Sequence, residues 1–176
     1  MTHLIITLFL FTVSFAVRAP QVAWKEFSSP EGGFLISLPR LPEMNKLTVQ
    51  TRTGLVDAIS FLAKDENANE FMVTYSEYPA MNLGASRAEK IFDGARDGLI
   101  IAQQGRLLGD TTISLGRHPG RAIVVERPDG GILKTVCYLV NDRFYQLTVE
   151  TRRIKEDVDS IDGFFSSFRL LPVRRR

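Results

Sequence analysis

SRAEKIFDGARDGLIIAQQG, residues 86–105, is the stretch on which the fold turns. Ala88, Ile91, Phe92, Ala95, Leu99 and Ala102 recur at helical spacing and make one apolar stripe. Ser86 and Glu89 stand three residues apart as a capping box, and Gly105 supplies a C-terminal cap. The spacing predicts one long amphipathic helix. Gly94 and Gly98 lie inside it, each about 1 kcal/mol worse than Ala there. Close packing of the helix on a sheet is the expected reason for both.

On either side of this helix the period changes to that of strands. Before it, Val22 to Ser28 reads as an edge strand, and Ser29 to Gly33 is turn chemistry. Phe34 to Leu38 is a short buried strand stopped by Pro39 and Pro42. Leu47 to Thr53, Leu55 to Ala63 and Phe71 to Tyr78 are three more strands. After the helix come Leu107 to Leu115 and Arg121 to Arg127, with a turn over Gly116 to Gly120. Ile132 to Val140 and Phe144 to Thr151 then form a hairpin across Asn141 and Asp142. Val136, Tyr138, Val140, Tyr145, Leu147 and Val149 share one face of that hairpin. A last helix is predicted from Lys155 to Phe168, with Ile154, Val158, Ile161, Phe165 and Phe168 on its apolar side. Strands, a long helix, four strands and a helix argue an α+β fold: an antiparallel sheet carrying helices on its faces.

The 176 residues are the length of one domain. Hydrophobic residues make 44 % and charged residues 24 %, ordinary values for a chain with a core. The 22 basic and 20 acidic side chains leave a net charge of only +2, which gives no field for nucleic acid or an anionic surface. Three units are expected: 1–19 as an export segment, 20–172 as the α+β domain, and 173–176 as a basic tail.

Leu4 to Val17 is apolar except for Thr7, Thr12 and Ser14. A membrane-spanning helix needs about 20 apolar residues, so this run has the length of a secretory signal instead. Ala16 and Ala19 are both small-residue cleavage positions, and Ala16 is preferred because Pro20 follows Ala19. An uncleaved anchor remains the alternative, since no Lys or Arg precedes the run. Either way the domain is expected outside the cytoplasm, periplasmic or secreted, touching membrane only through this segment if it is uncut.

No constellation for catalysis or metal binding emerges. Cys137 is the single cysteine, set in an apolar strand, and excludes an internal disulfide or a thiolate cluster. The histidines are His3 and His118 alone. A Ser/His or Cys/His dyad would have to use His118, which reads as an exposed turn residue. Asp65 to Asn69 begins like a calcium loop, but Glu70 and Ser76 stand where a Gly and a bidentate Glu belong. Neither Gly116 to Gly120 nor Gly130-Gly131 matches a phosphate loop. The expectation is therefore a non-enzyme with no cofactor and no metal.

Three segments in this order carry a resemblance: Trp24 to Phe34 followed by Ser37-Leu38-Pro39, then Asp142 to Leu147, then Phe164 to Leu170. They resemble small exported bacterial proteins of the PsbP-like class over about Trp24 to Leu170. The resemblance implies an α/β/α sandwich with a central antiparallel sheet, one long helix and a C-terminal helix packed on it. The class includes lumenal accessory subunits of the oxygen-evolving complex and a Ran-binding factor, and these act by binding other proteins. No functional residue is carried over. The implied role is an extracytoplasmic accessory domain that binds an envelope protein. Trp24, Tyr78, Tyr138, Arg143 and Tyr145 are its candidate surface, because interfaces favour Tyr, Trp and Arg. The alternative is a carrier of a small apolar ligand or lipid, which needs a cavity of about 300 Å³ or more.

Overall fold

The computed structural model describes residues 24–51, 54–78, 86–152 and 158–172. The expected export segment with its cleavage positions, the expected start of the last helix and the expected basic tail lie outside them. No helix among the described residues is long and apolar enough to cross a membrane.

Among the described residues, ten strands and two helices follow in order: β1 (Lys25–Ser29), β2 (Phe34–Leu38), β3 (Glu43–Thr51), β4 (Gly54–Lys64), β5 (Glu70–Glu77), α1 (Arg87–Gln103), β6 (Arg106–Leu115), β7 (His118–Glu126), β8 (Ile132–Val140), β9 (Arg143–Thr151), α2 (Val158–Ser167) and β10 (Arg169–Leu170). All pairings are antiparallel. The strands divide into two sheets: β1-β2-β10, and the seven-stranded β3-β4-β5-β9-β8-β7-β6.

The expected sandwich holds only in part. Helix α1 covers one face of the large sheet, but the other face carries the small sheet as well as α2. Phe34, Ile36 and Leu38 of β2 pack with Ile161, Phe164 and Phe168 against Phe71, Val73, Tyr75, Tyr145 and Leu147. On the opposite face Ile91 and Phe92 of α1 meet Ile123, Val125, Leu133, Cys137, Leu139 and Phe144. Alternation along each strand sends successive side chains to the two layers, so β8 and β9 feed both cores.

Several local expectations are corrected by packing. Ser86 makes no capping hydrogen bond to α1, and Gln104 rather than Gly105 takes the left-handed cap, with φ 48°. The Glu89 carboxylate pairs with Arg121 of β7. Gly105 is required for another reason: a Cβ there would lie 2.4 Å from Val125 and 2.7 Å from the Glu126 carbonyl oxygen. Gly94 and Gly98 do not pack closely on the sheet; a Cβ at either would meet nothing within 4 Å. Instead they border a groove of about 280 Å³ between α1 and β3. In α2 the apolar side is turned toward Phe164, whose ring meets Phe71 at 5.4 Å, while Val158 is 46 % exposed.

Cys137 is fully buried under α1. Burial pushes its thiol well above the ordinary range, with the charge of Arg121 acting weakly the other way. The native protein should therefore resist an aromatic disulfide reagent, with labelling that rises only as urea unfolds it. Stoichiometric labelling in buffer at the rate of a free thiol would contradict this burial.

Candidate functional site

Three turns and the segment Leu170 to Pro172 meet around one cleft. The β1–β2 turn bends at Gly33 (φ 69°), the β6–β7 turn at Gly116 (φ 58°) and the β8–β9 turn at Asn141 (φ 56°). Antiparallel order puts these turns on a common end, because every second connection returns to the same side of a sheet. With the end of β5 and Leu170, Leu171 and Pro172 they enclose an open cleft of about 1190 Å³.

Arg143 is the fixed cation of this cleft. Its guanidinium lies 5.3 Å from the centre of the Tyr75 ring. Its Nε donates to Glu77 Oε1 at 2.6 Å. Burial works against its charge, but the Tyr145 hydroxyl and Glu77 outweigh that and hold it protonated. Gly33 makes room for it: a Cβ there would stand 2.9 Å from the guanidinium. Behind it Tyr145 donates its O–H to the Gly32 carbonyl at 2.7 Å, tying the small sheet to the large one. Leu171 N–H donates to the Gly33 carbonyl at 2.9 Å and closes the other side of the turn.

The neighbouring carboxylates divide by partner. Asp142 accepts from Arg87 at 2.7 Å, and Glu77 is held by Arg143. Glu31, Arg117 and His118 also line the cleft, and no salt bridge joins them to another described residue. Val140, Leu170, Leu171 and Pro172 provide an apolar wall. A rigid guanidinium, a ring of charges at the rim and an apolar wall suit recognition of a polypeptide surface. The space between the two sheets is filled by rings such as Phe34, Phe61, Tyr75 and Phe168, which leaves no room there for a small apolar ligand.

Of the five residues expected to form a surface, two reach this cleft. Arg143 lines it and is half-buried; Tyr145 lines it with a buried ring. Trp24 is elsewhere, half-buried and edge-on to Phe71 at 4.9 Å. Tyr138 is core, stacked on Phe168 at 6.0 Å. Tyr78 sits on the α1 side, 5.8 Å from Phe144. Trp24 and Tyr138 pack on the core of one face of the large sheet and Tyr78 on that of the other, because aromatic type does not specify which layer a ring will fill. Glu31, Glu77 and Arg117 were missed, although all three stand at strand ends or in turns, where such sites form. His118 opens β7 and is half-buried, not an exposed turn tip.

The Asp65 loop folds around its own first carboxylate. Asp65 Oδ1 accepts from the Asn67 and Asn69 backbone N–H groups, and Oδ2 from the Asn69 amide at 2.8 Å. No cluster of three or more metal-ligating side chains occurs among the described residues.

The layers match a known architecture. The solution structure of cyanobacterial PsbP from Synechocystis sp. PCC 6803 superposes with a TM-score of 0.58 at 13 % identity, over 90 % of this chain and 98 % of that one. The fold is PsbP-like. No protein-family model and no curated protein matches the sequence. The PsbP-like likeness therefore concerns backbone architecture, and at this identity it transfers no residue of the cleft.

Tyr145→Phe should cost about 1–2 kcal/mol, because the Gly32 carbonyl loses its donor in a buried position. Urea denaturation would register this as a lower midpoint at unchanged slope. An unchanged midpoint would mean that the Tyr145 hydroxyl does not clamp the β1–β2 turn.

Proposed function

We propose that this chain is a non-catalytic accessory domain, exported from the cytoplasm, that works by binding an envelope protein through the cleft around Arg143. The observation that carries the reading is Arg143 itself, a cation held in place by Glu77 and Tyr75 at the mouth of a cleft with an apolar wall. Fixed arginines at the centre of a surface are the residues on which binding energy concentrates. The PsbP-like architecture supports the reading by analogy of fold alone. Export rests on the apolar run from Leu4 to Val17.

A photocrosslinking side chain at position 117 of the full chain, expressed in its own host, tests this. One envelope protein should dominate the adducts. Arg143→Ala should weaken its capture by about thirtyfold, the size of one central anchor. Glu31→Lys, which alters the rim without touching the core, should weaken it too. A folded Arg143→Ala variant that captures as well as wild type, together with an indifferent Glu31→Lys, would sink the cleft as the binding surface.

A further inference from the structure

Strand β3 is one edge of the large sheet, with β4 as its only neighbour among the described residues. The two edges are built differently. β6, the other edge, slips register between Leu107 and Gly109, and such a bulge blunts an edge against further pairing. β3 runs in unbroken register with β4 from Glu43↔Leu62 to Thr51↔Gly54. That closure makes the odd-numbered residues exchange backbone hydrogen bonds with β4. Met44, Lys46 and Thr48 then aim their N–H and C=O groups outward.

The side chains of this edge are exposed on both faces from Glu43 to Gln50. They include Met44 at 67 %, Leu47 at 48 % and Val49 at 39 %. A lysine often guards an edge by standing free. Lys46 does not, because its ammonium lies 3.1 Å from Asp57, which also accepts from the Thr48 hydroxyl at 2.8 Å.

We propose that two copies of this chain associate through β3, antiparallel and edge to edge, about a two-fold axis at Leu47. The charges of the strand select this partner. Centred on Leu47, the pairing opposes Lys46 to Thr48 of the second copy, Asn45 to Val49 and Glu43 to Thr51. No like charge faces like. The second copy's Lys46 arrives beside Thr48 and Asp57, so two ammoniums and two carboxylates interleave across the seam. On the other face Leu47 meets Leu47 and Val49 flanks it. An isologous contact of this kind closes at two copies and leaves no further free edge of the same type. This surface lies away from the cleft, so it stands or falls independently of the protein-binding reading.

Cysteine placement in the full chain tests the register. Leu47 would face itself at a Cα separation of about 4.5 Å, within the range a disulfide spans. The native Cys137 is buried and does not compete. Under mild oxidation Leu47→Cys should form covalent dimers roughly tenfold faster than Asn45→Cys or Val49→Cys alone, since only position 47 meets itself. A mixture of Asn45→Cys and Val49→Cys should crosslink as a heterodimer. In sedimentation, Leu47→Lys and Leu47→Glu should each be monomeric, and their equal mixture should recover the dimer. A wild-type chain that stays monomeric at every concentration, or three single-cysteine variants that crosslink at one rate, would overturn the proposal. So would β3 taking up a peptide of another protein in place of a second copy.

Discussion

Phe34→Ala is expected to lower stability by about 4 kcal/mol, the cost of truncating a fully enclosed aromatic ring. Phe34 has no exposed surface. Its ring lies 5.8 Å from Phe61 and from Phe168, 6.2 Å from Phe27 and from Tyr145, and 6.4 Å from Tyr75. These five rings come from β1, β4, β5, β9 and the residue after α2, so Phe34 is the point where both sheets and the C-terminal segment touch. Aromatic pairs in tilted or edge geometry add roughly 0.5–1.5 kcal/mol each beyond their buried area. For a chain of this length the loss corresponds to a melting temperature about 10 °C lower. Urea denaturation should show a lower midpoint at unchanged slope. A loss below about 1 kcal/mol, far under the usual cost of such a truncation, would mean that the small sheet is not held through this ring.

Arg121→Met is expected to cost about 2 kcal/mol, and its effect should concentrate in α1. Arg121 is 8 % exposed. It pairs with Glu89 and with Asp93 of α1 at 3.4 Å, and with Asp110 of β6 at 3.0 Å. Its guanidinium also lies 5.8 Å from the Phe92 ring. Burial opposes its charge, and Asp110 and Glu89 more than offset this and raise its pKa. Removing one member of a buried ion cluster costs about 3–5 kcal/mol when the partners are enclosed. Here the side chains of Asp110, Asp93 and Glu89 are 20 %, 41 % and 58 % exposed, so water relieves part of that cost. Arg96 relieves more, since it also reaches Asp93 at 3.0 Å and Asp110 at 3.1 Å. The Arg121 Nε is a buried donor without a partner, which Met does away with. Hydrogen exchange should quicken across Arg87–Gln103 more than in β8 or β9. Adding Asp110→Asn to Arg121→Met should recover part of the loss, as expected of neighbours that share one interaction. Uniform acceleration over the whole sheet would show that Arg121 does not anchor α1.

Much of the secondary structure was legible because it is short-range. The stripe from Ala88 to Leu99 predicted α1, and the shared face of Val136, Tyr138, Tyr145, Leu147 and Val149 is one layer of the core. Alternation specifies which side of a strand is apolar, and helical spacing does the same for a helix. Neither specifies what will cover that side. The candidate cleft was half legible: Arg143 and Tyr145 were chosen from residue type, whereas Glu31, Glu77 and Arg117 join them only when turns far apart in the chain come together.

By itself the sequence determined the α+β class, the hairpin of β8 and β9, the long helix and the single buried cysteine, since each follows from residues within one or two turns of chain. The tertiary structure alone decided the division into two sheets, because Arg169 and Leu170 pair with Leu35 and Phe34, 134 and 136 residues away. It also decided that Gly94 and Gly98 border a groove, that Glu89 pairs with Arg121 of a distant strand, and that β3 is left as an unbroken edge. The physical reason is common to all of these. Local propensity and periodicity act over a few residues, while the choice of covering layer, ion partner and edge is made between surfaces that meet only after the chain has folded.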